Sequence, residues 1–225
     1  MILDIQFKNY RSFKDKCSFS MEASSTETKA NNVFVAPVSE NDEERLLKIA
    51  IIYGANASGK TNIIRMLYAL RSMISNMTAN QGGEGIYLYE PFVLDEDSKN
   101  EPTEISISFI VNNIKHLYEL TYNGEEFLSE KLTYFPKGVA AILFERVPVE
   151  NDSIIKVYEP KYFTSIPKSK VQKFAVFSNK LILSKFLYDI PFDLITPAAK
   201  YLANIHIANG YHSRMINQLW DEFRD

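Results

Sequence analysis

The octapeptide Gly54-Ala-Asn-Ala-Ser-Gly-Lys-Thr61 constrains this chain more tightly than any other stretch. It carries the spacing G-x-x-x-x-G-K-[ST], which a chain of this length meets by chance roughly once in a hundred times at average composition. The apolar run Leu46-Leu-Lys-Ile-Ala-Ile-Ile-Tyr53 leads into it, and Asn62-Ile-Ile-Arg-Met-Leu-Tyr-Ala-Leu70 follows with helical periodicity. A buried strand, a tight turn and a helix are the setting in which this spacing cradles phosphate. Gly54 and Gly59 let the backbone curl so that the N–H groups of Asn56, Ala57, Ser58 and Lys60 face inward. A helix beginning near Lys60 adds the positive end of its dipole. Lys60 is then expected to neutralise the β- and γ-phosphates, closest to the chemistry, and the Thr61 hydroxyl to ligate Mg²⁺. The stretch implies a nucleoside triphosphate with Mg²⁺.

Length and charge bound the rest. The 225 residues can bury one good core, as one domain or a domain with a lobe. A net charge of -3 and a pI near 5.7 speak against a dedicated nucleic-acid coat, though not against a local basic patch. The single cysteine, Cys17, excludes an internal disulfide framework or multi-cysteine metal site and fits a reducing cytosol. It lies in an alternating run, where a small buried role suits it. No apolar run approaches the ~20 residues that span a bilayer, and Asp4 interrupts any signal-peptide core. A soluble cytoplasmic protein with no membrane partner is expected.

Met1 to Asn9 alternates as a half-buried strand, Asn9 to Phe13 should turn, and Lys16 to Met21 alternates again as an antiparallel partner. Ser24 to Val33 is polar and turn-rich, and Ser39 to Arg45 reads as an acidic exposed loop. Beyond the glycine-rich loop, Ile63, Ile64, Met66, Leu67, Leu70, Met73, Ile74 and Met77 mark one face of an amphipathic helix, ended by Gln81 to Gly85. Thr103 to Val111 alternates strictly, Asn112-Asn113 turns, His116 to Tyr122 returns, and Asn123-Gly124 gives a second hairpin signal before a strand over Glu126 to Phe135. Ala140 to Arg146 and Ile154 to Tyr158 are further strands of this meander. From Pro160 the chain is lysine-rich, at Lys161, Lys168, Lys170, Lys173, Lys180 and Lys185, with helical runs over Asn179 to Tyr188, Leu194 to Ala208 and Tyr211 to Arg224. Three regions result: 1–90 as the start of a nucleotide-binding core, 91–158 as a β-rich lobe, and 159–225 as a helical segment.

A hydrolytic site of this type also needs a strand-end Asp for the metal and a group that orients water. Asp95, in Phe92-Val-Leu-Asp95-Glu96, has the local look, but Pro91 before it and the polar run 97–102 after it favour a loop. Asp221-Glu222 reads as a helix surface, and His116, His206 and His212 lack metal-ligand spacing.

Three features together resemble the SMC- and RecF-like branch of the ABC-type ATPases. Phe7-Lys-Asn-Tyr-Arg-Ser-Phe13 is similar to that branch's strand-and-turn opening, and Asn56 and Asn62 match its G-x-N-x-S-G-K-[ST]-N loop. Glu90-Pro-Phe92, Pro102-Thr103, Ile105 to Phe109, Tyr118-Glu-Leu120 and Glu130-Lys-Leu132 look like the AAA ATPase relatives of the OLD and RloA-type phage-defence proteins. The resemblance spans about residues 1–146, and Asn179 to Ser184 extends it. It implies an α/β P-loop NTPase fold: an ABC ATPase-like core sheet, an antiparallel β lobe and a C-terminal helical segment. It implies ATP and Mg²⁺ on Gly54 to Asn62, with Arg11 near the phosphates. It also implies a homodimer of heads sandwiching ATP, and a nuclease or toxin effector as partner. The Walker B pair and signature loop of that family find no counterpart after residue 146. These residues are therefore expected to be the N-terminal part of a longer ATPase, one that binds ATP but hydrolyses it poorly alone. Two other readings stay open: a small P-loop kinase or GTPase, and a non-catalytic module binding nucleotide, DNA or RNA through the lysines.

Overall fold

The structure is a computed structural model, and it describes residues 1–25, 29–39, 42–76, 84–149, 157–160 and 176–207. Strands β1 (Ile2–Lys8) and β2 (Cys17–Ser20) open the chain, and β3 (Val33–Ser39) and β4 (Asp42–Leu47) follow. Helix α1 (Lys60–Asn76) comes next, then β5 (Thr103–Val111), β6 (Ile114–Tyr122), β7 (Phe127–Tyr134), β8 (Ala141–Val149), β9 (Val157–Pro160) and β10 (Val176–Phe177). Helices α2 (Ile182–Tyr188) and α3 (Thr196–Ala203) complete the described elements.

Eight strands make one antiparallel sheet in the order β10-β9-β8-β7-β6-β5-β1-β2. The asparagines at 112 and 113 explain its tightest corner. Both take left-handed backbone, φ 52° and 59°, so Val111 and Ile114 pair directly across a two-residue turn. The second hairpin forms differently. Asn123 Oδ1 accepts the N–H groups of Glu125 and Glu126, both at 2.8 Å, and a longer loop closes before Phe127 pairs with Tyr122.

The alternation of β1, β5 and β6 puts Ile5, Phe7, Ile105, Ile107, Phe109, Tyr118 and Leu120 on one face. Met66, Leu70, Met73 and Ile74 of α1 pack over them together with Ile182, Leu183, Ala198 and Leu202 of the other helices. Burying each such side chain stabilises the fold by about 1.5–3 kcal/mol relative to exposure. Side-chain bonds link the helices: Ser184 Oγ donates to the Ile74 carbonyl at 2.9 Å and Arg71 to the Ile205 carbonyl at 3.1 Å.

One ionic cluster lies wholly inside. Glu130 on β7 and Arg146 on β8 both have side chains 0% exposed and meet at 3.2 Å. Glu130 also accepts from the Tyr118 hydroxyl at 2.9 Å and from the N–H groups of Ile182 and Leu183 at 2.7 and 2.8 Å. Arg146 donates to the Lys180 carbonyl as well. Burial, then the Glu130 charge, push the Tyr118 phenol well above its ordinary range. Glu130 thus ties the start of α2 to β7.

Several expectations are corrected. The acidic run 39–45 is not simply a loop: its second half is β4, paired with β3 and held to the start of the chain by Leu47 N–H donating to Met21 O at 2.7 Å. Leu3, Ala36, Val38, Leu46 and Ile110 form the apolar seat of this hairpin, which composition alone hides. The strands of the 91–158 region join the opening strands in one sheet, since β1 pairs with β5. The buried strand expected over 46–53 ends at Leu47; Ile49, Ile51 and Tyr53 are 76%, 81% and 90% exposed. A strand apolar on both faces needs sheet neighbours on both sides, and among the described residues none lies beside this segment. Cys17 is half-buried against the main core, which raises its thiol pKa. Met77, most of Gln81 to Gly85, part of the strand over Ile154 to Tyr158, Lys161, Lys168, Lys170, Lys173, His212, Asp221-Glu222 and the run Tyr211 to Arg224 lie outside the described residues.

Candidate nucleotide site

The site is built from two tight turns that touch. In the first, Tyr10 and Phe13 exchange backbone hydrogen bonds, both 2.9 Å, leaving Arg11 and Ser12 as a two-residue tip. Asn9 and Arg11 both sit in left-handed backbone, at φ 52° and 50°. Asparagine tolerates that conformation, and its buried side chain bolts the turn down. Asn9 Nδ2 donates to the carbonyls of Ser98 (2.9 Å) and Glu101 (2.7 Å), and Oδ1 accepts Phe92 N–H at 2.9 Å. Thr103 Oγ1 donates to the Asn9 carbonyl at 2.7 Å.

The second turn is the glycine-rich loop itself. Ala57 and Gly59 adopt φ 64° and 88°, and α1 starts at the next residue, Lys60. Gly59 lies so close to the first turn that an added Cβ would come within 2.6 Å of Ser12 Oγ and 2.9 Å of Phe13 Cζ. Asn62 Nδ2 donates to Ser12 Oγ at 2.8 Å. The asparagine after the Lys-Thr pair therefore binds the opening turn, a contact that the spacing of the motif does not disclose.

What the loop leaves open decides its chemistry. Among the described residues, no acceptor takes the N–H groups of Ala57, Gly59, Lys60 or Thr61. Ala57 to Asn62 line a depression of about 150 Å³. Lys60 Nζ donates to the carbonyls of Gly54 (2.8 Å) and Ala55, so its ammonium lies across the loop. Unclaimed N–H donors, a helix N-terminus and an ammonium fit a polyphosphate. The Thr61 side chain is exposed and lines the same depression, and its hydroxyl would be the oxygen offered to a Mg²⁺ ion there.

Beside the loop opens a larger cleft of about 860 Å³. Tyr10, Arg11, Lys60, Thr61, Tyr68 and Glu90 line it with the apolar Ala50, Ile52 and Ile64. Arg11 is thus brought to the same cleft as Lys60 and Thr61. It donates through Nε to Glu90 Oε2 at 2.8 Å and through Nη2 to Glu90 Oε1, while its own N–H donates to the Glu90 carbonyl at 2.7 Å. Burial works against the Arg11 charge, but the Glu90 carboxylate and Tyr10 hydroxyl outweigh it and its pKa is raised. Burial, then Glu90, push the Tyr10 phenol up to about 12. Glu90, Tyr10 and Ser12 were not among the expected site residues. Glu90-Pro-Phe92 stands out in the sequence only as part of a pattern, and nothing local signals that Glu90 faces Arg11.

The other candidates go elsewhere. Asp95 accepts Ser98 Oγ at 2.7 Å and Ser98 N–H at 3.1 Å and pairs with Lys14 at 3.2 Å, which holds its carboxyl below the usual range. It is a turn cap outside the cleft. His116 is buried, stacked on Phe109 at 5.4 Å, and burial lowers its pKa. No group of His, Cys, Asp and Glu able to hold a metal occurs among the described residues. Lys185 pairs with Asp189 at 2.8 Å. No helix among them is long and apolar enough to cross a membrane.

A glycine-rich loop closing on a helix N-terminus, with a lysine across it, defines an α/β protein of the P-loop class. Within that class the chain belongs to the family described as AAA domain, putative AbiEii toxin, Type IV TA system, whose match runs over residues 49–185. The match begins just before the loop and ends in α2, leaving the Arg11 turn outside it. No curated protein matches the chain.

Proposed function

We propose that this chain is the ATP-binding head of an ABC-type ATPase resembling the OLD and RloA-like group, which binds Mg²⁺-ATP on Gly54 to Asn62. The observation that carries this reading is the unclaimed N–H groups of Ala57, Gly59, Lys60 and Thr61, with the Lys60 ammonium across the loop. Lys60 places its ammonium on the β- and γ-phosphates, Thr61 holds the metal, and Asn62 keeps the loop seated on Ser12. Arg11 approaches the phosphates from the facing turn. A bound Mg²⁺ would supply charge neutralisation between phosphate oxygens. In the cleft as lined by described residues, Glu90 is the one carboxylate, and it is engaged by Arg11. We therefore expect binding with little hydrolysis by this chain alone. ATP-driven pairing of two heads and signalling to a nuclease or toxin partner in a cytoplasmic phage-defence system complete the reading.

Calorimetric titration of the 225-residue chain with Mg²⁺-ATP tests it. Lys60→Ala should weaken binding at least about tenfold, which is about 1.4 kcal/mol, and leave the unfolding midpoint nearly unchanged. Equal affinity in wild type and variant would end the reading. Strong preference for GTP, or phosphate transfer to a small metabolite, would favour a kinase or GTPase instead.

A further inference from the structure

We propose that Glu90 competes with a bound nucleoside polyphosphate for the Arg11 guanidinium, and so sets the affinity of the site. The inference rests on the nucleotide reading above and adds a residue to it. Arg11 uses Nε and Nη2 together on the two oxygens of Glu90. That paired edge is one with which a guanidinium grips phosphate. Arg11, Glu90, Lys60 and Thr61 line one cleft, so a polyphosphate reaching Lys60 lies beside the pair. Two acceptors then face one fork.

The rest of the turn makes the exchange feasible. Its backbone is fixed without the Glu90 side chain, by the Tyr10–Phe13 bonds, by Asn9, and by Arg11 N–H on the Glu90 carbonyl. The pair is partly exposed, 30% for Arg11 and 37% for Glu90, so solvent screening offsets part of what its two-point geometry gains. Tyr10 also donates to Glu90 Oε2, at 3.3 Å, which keeps the carboxylate in the cleft when Arg11 leaves. Glu90 thus opposes the ligand twice: it withholds a cation, and it adds a negative charge beside the phosphates. A carboxylate that merely supported the turn would have the opposite effect on binding when removed.

The test is Mg²⁺-ATP titration of the full chain as wild type, Glu90→Gln, Glu90→Asp and Glu90→Gln with Arg11→Ala. Glu90→Gln keeps the shape and should bind about two- to fivefold tighter, the range expected for releasing an exposed ion pair. Glu90→Asp keeps the charge and should show no gain. Adding Arg11→Ala to Glu90→Gln should remove the gain. Thermal unfolding checks that each variant remains folded, and the Arg11 Nε–H NMR signal should shift on adding Mg²⁺-ATP to wild type. The proposal is overturned if Glu90→Gln binds no tighter than wild type, if the double variant binds as tightly as Glu90→Gln, or if the Arg11 signal stays fixed at saturation. Lys60→Ala loses affinity whichever way Glu90→Gln goes, so failure here is separable from failure of the nucleotide reading.

Discussion

Two helix N-termini in this protein meet the same physical demand in opposite ways. Each presents N–H groups that its own turn cannot satisfy, together with the positive end of a helix dipole. At α2 the demand is met from within, where the Glu130 carboxylate takes the N–H groups of Ile182 and Leu183 and is balanced by Arg146. At α1, among the described residues, no acceptor takes the N–H groups of Lys60 and Thr61 and no carboxylate is placed on them. The first arrangement is buried and complete; the second is exposed and keeps its donors available. An anion at a helix start is architecture when the protein supplies it and a binding site when it does not.

Removing the internal anion should have the largest effect. Glu130→Ala leaves Arg146 buried without its carboxylate and frees two N–H groups, and should cost about 3–5 kcal/mol. Urea unfolding followed by circular dichroism measures it, and a loss under about 1 kcal/mol would deny that this cluster anchors α2. The seam between the open site and the opening turn is tested by Gly59→Ala. Its φ of 88° and the 2.6 Å approach to Ser12 Oγ predict a loss of about 1–3 kcal/mol together with Mg²⁺-ATP binding. Wild-type stability in that variant would show that the two turns are not rigidly seated. The mildest change imports the α2 solution into α1. Ser58→Asp puts a carboxylate beside the helix start, and should raise stability by about 0.5 kcal/mol while weakening Mg²⁺-ATP binding. If it weakens binding without any stabilisation, the contrast between the two helices is not electrostatic.

The parts of this molecule that could be read along the chain are those whose cause is local. The P-loop spacing, the long helix behind it and the alternating strands β5, β6 and β7 follow from residue order, as does the asparagine corner at 112–113. What was hidden depends on neighbours distant in sequence. Leu46-Leu to Tyr53 has the composition of a buried strand, but composition cannot supply the flanking strands, and the segment past Leu47 stays exposed. The acidic residues around Asp42 disguise β4, whose register comes from β3 and from Met21. Asp95 reads as a loop residue along the chain, and the structure adds the partners, Lys14 and Ser98, that sequence order does not show. Arg11 was named for the site by likeness, and its partner Glu90 emerged only from the fold.

The connection between β1 and β5 has a consequence for the order in which the protein assembles. These strands are hydrogen-bonded neighbours, yet roughly ninety residues, with the whole P-loop and α1 among them, run between Lys8 and Thr103. The β5–β6 corner closes over two residues, and by the logarithmic cost of loop closure the β1–β5 contact costs about 3 kcal/mol more chain entropy. The meander is therefore expected to form early and β1 to dock late, which pulse-labelled hydrogen exchange would show as protection of β5 to β7 amides before those of β1. Arg11 and Ser12 ride on the end of that late strand. The seam between the opening turn and the glycine-rich loop, where Asn62 meets Ser12, would then be the last part of the molecule to close.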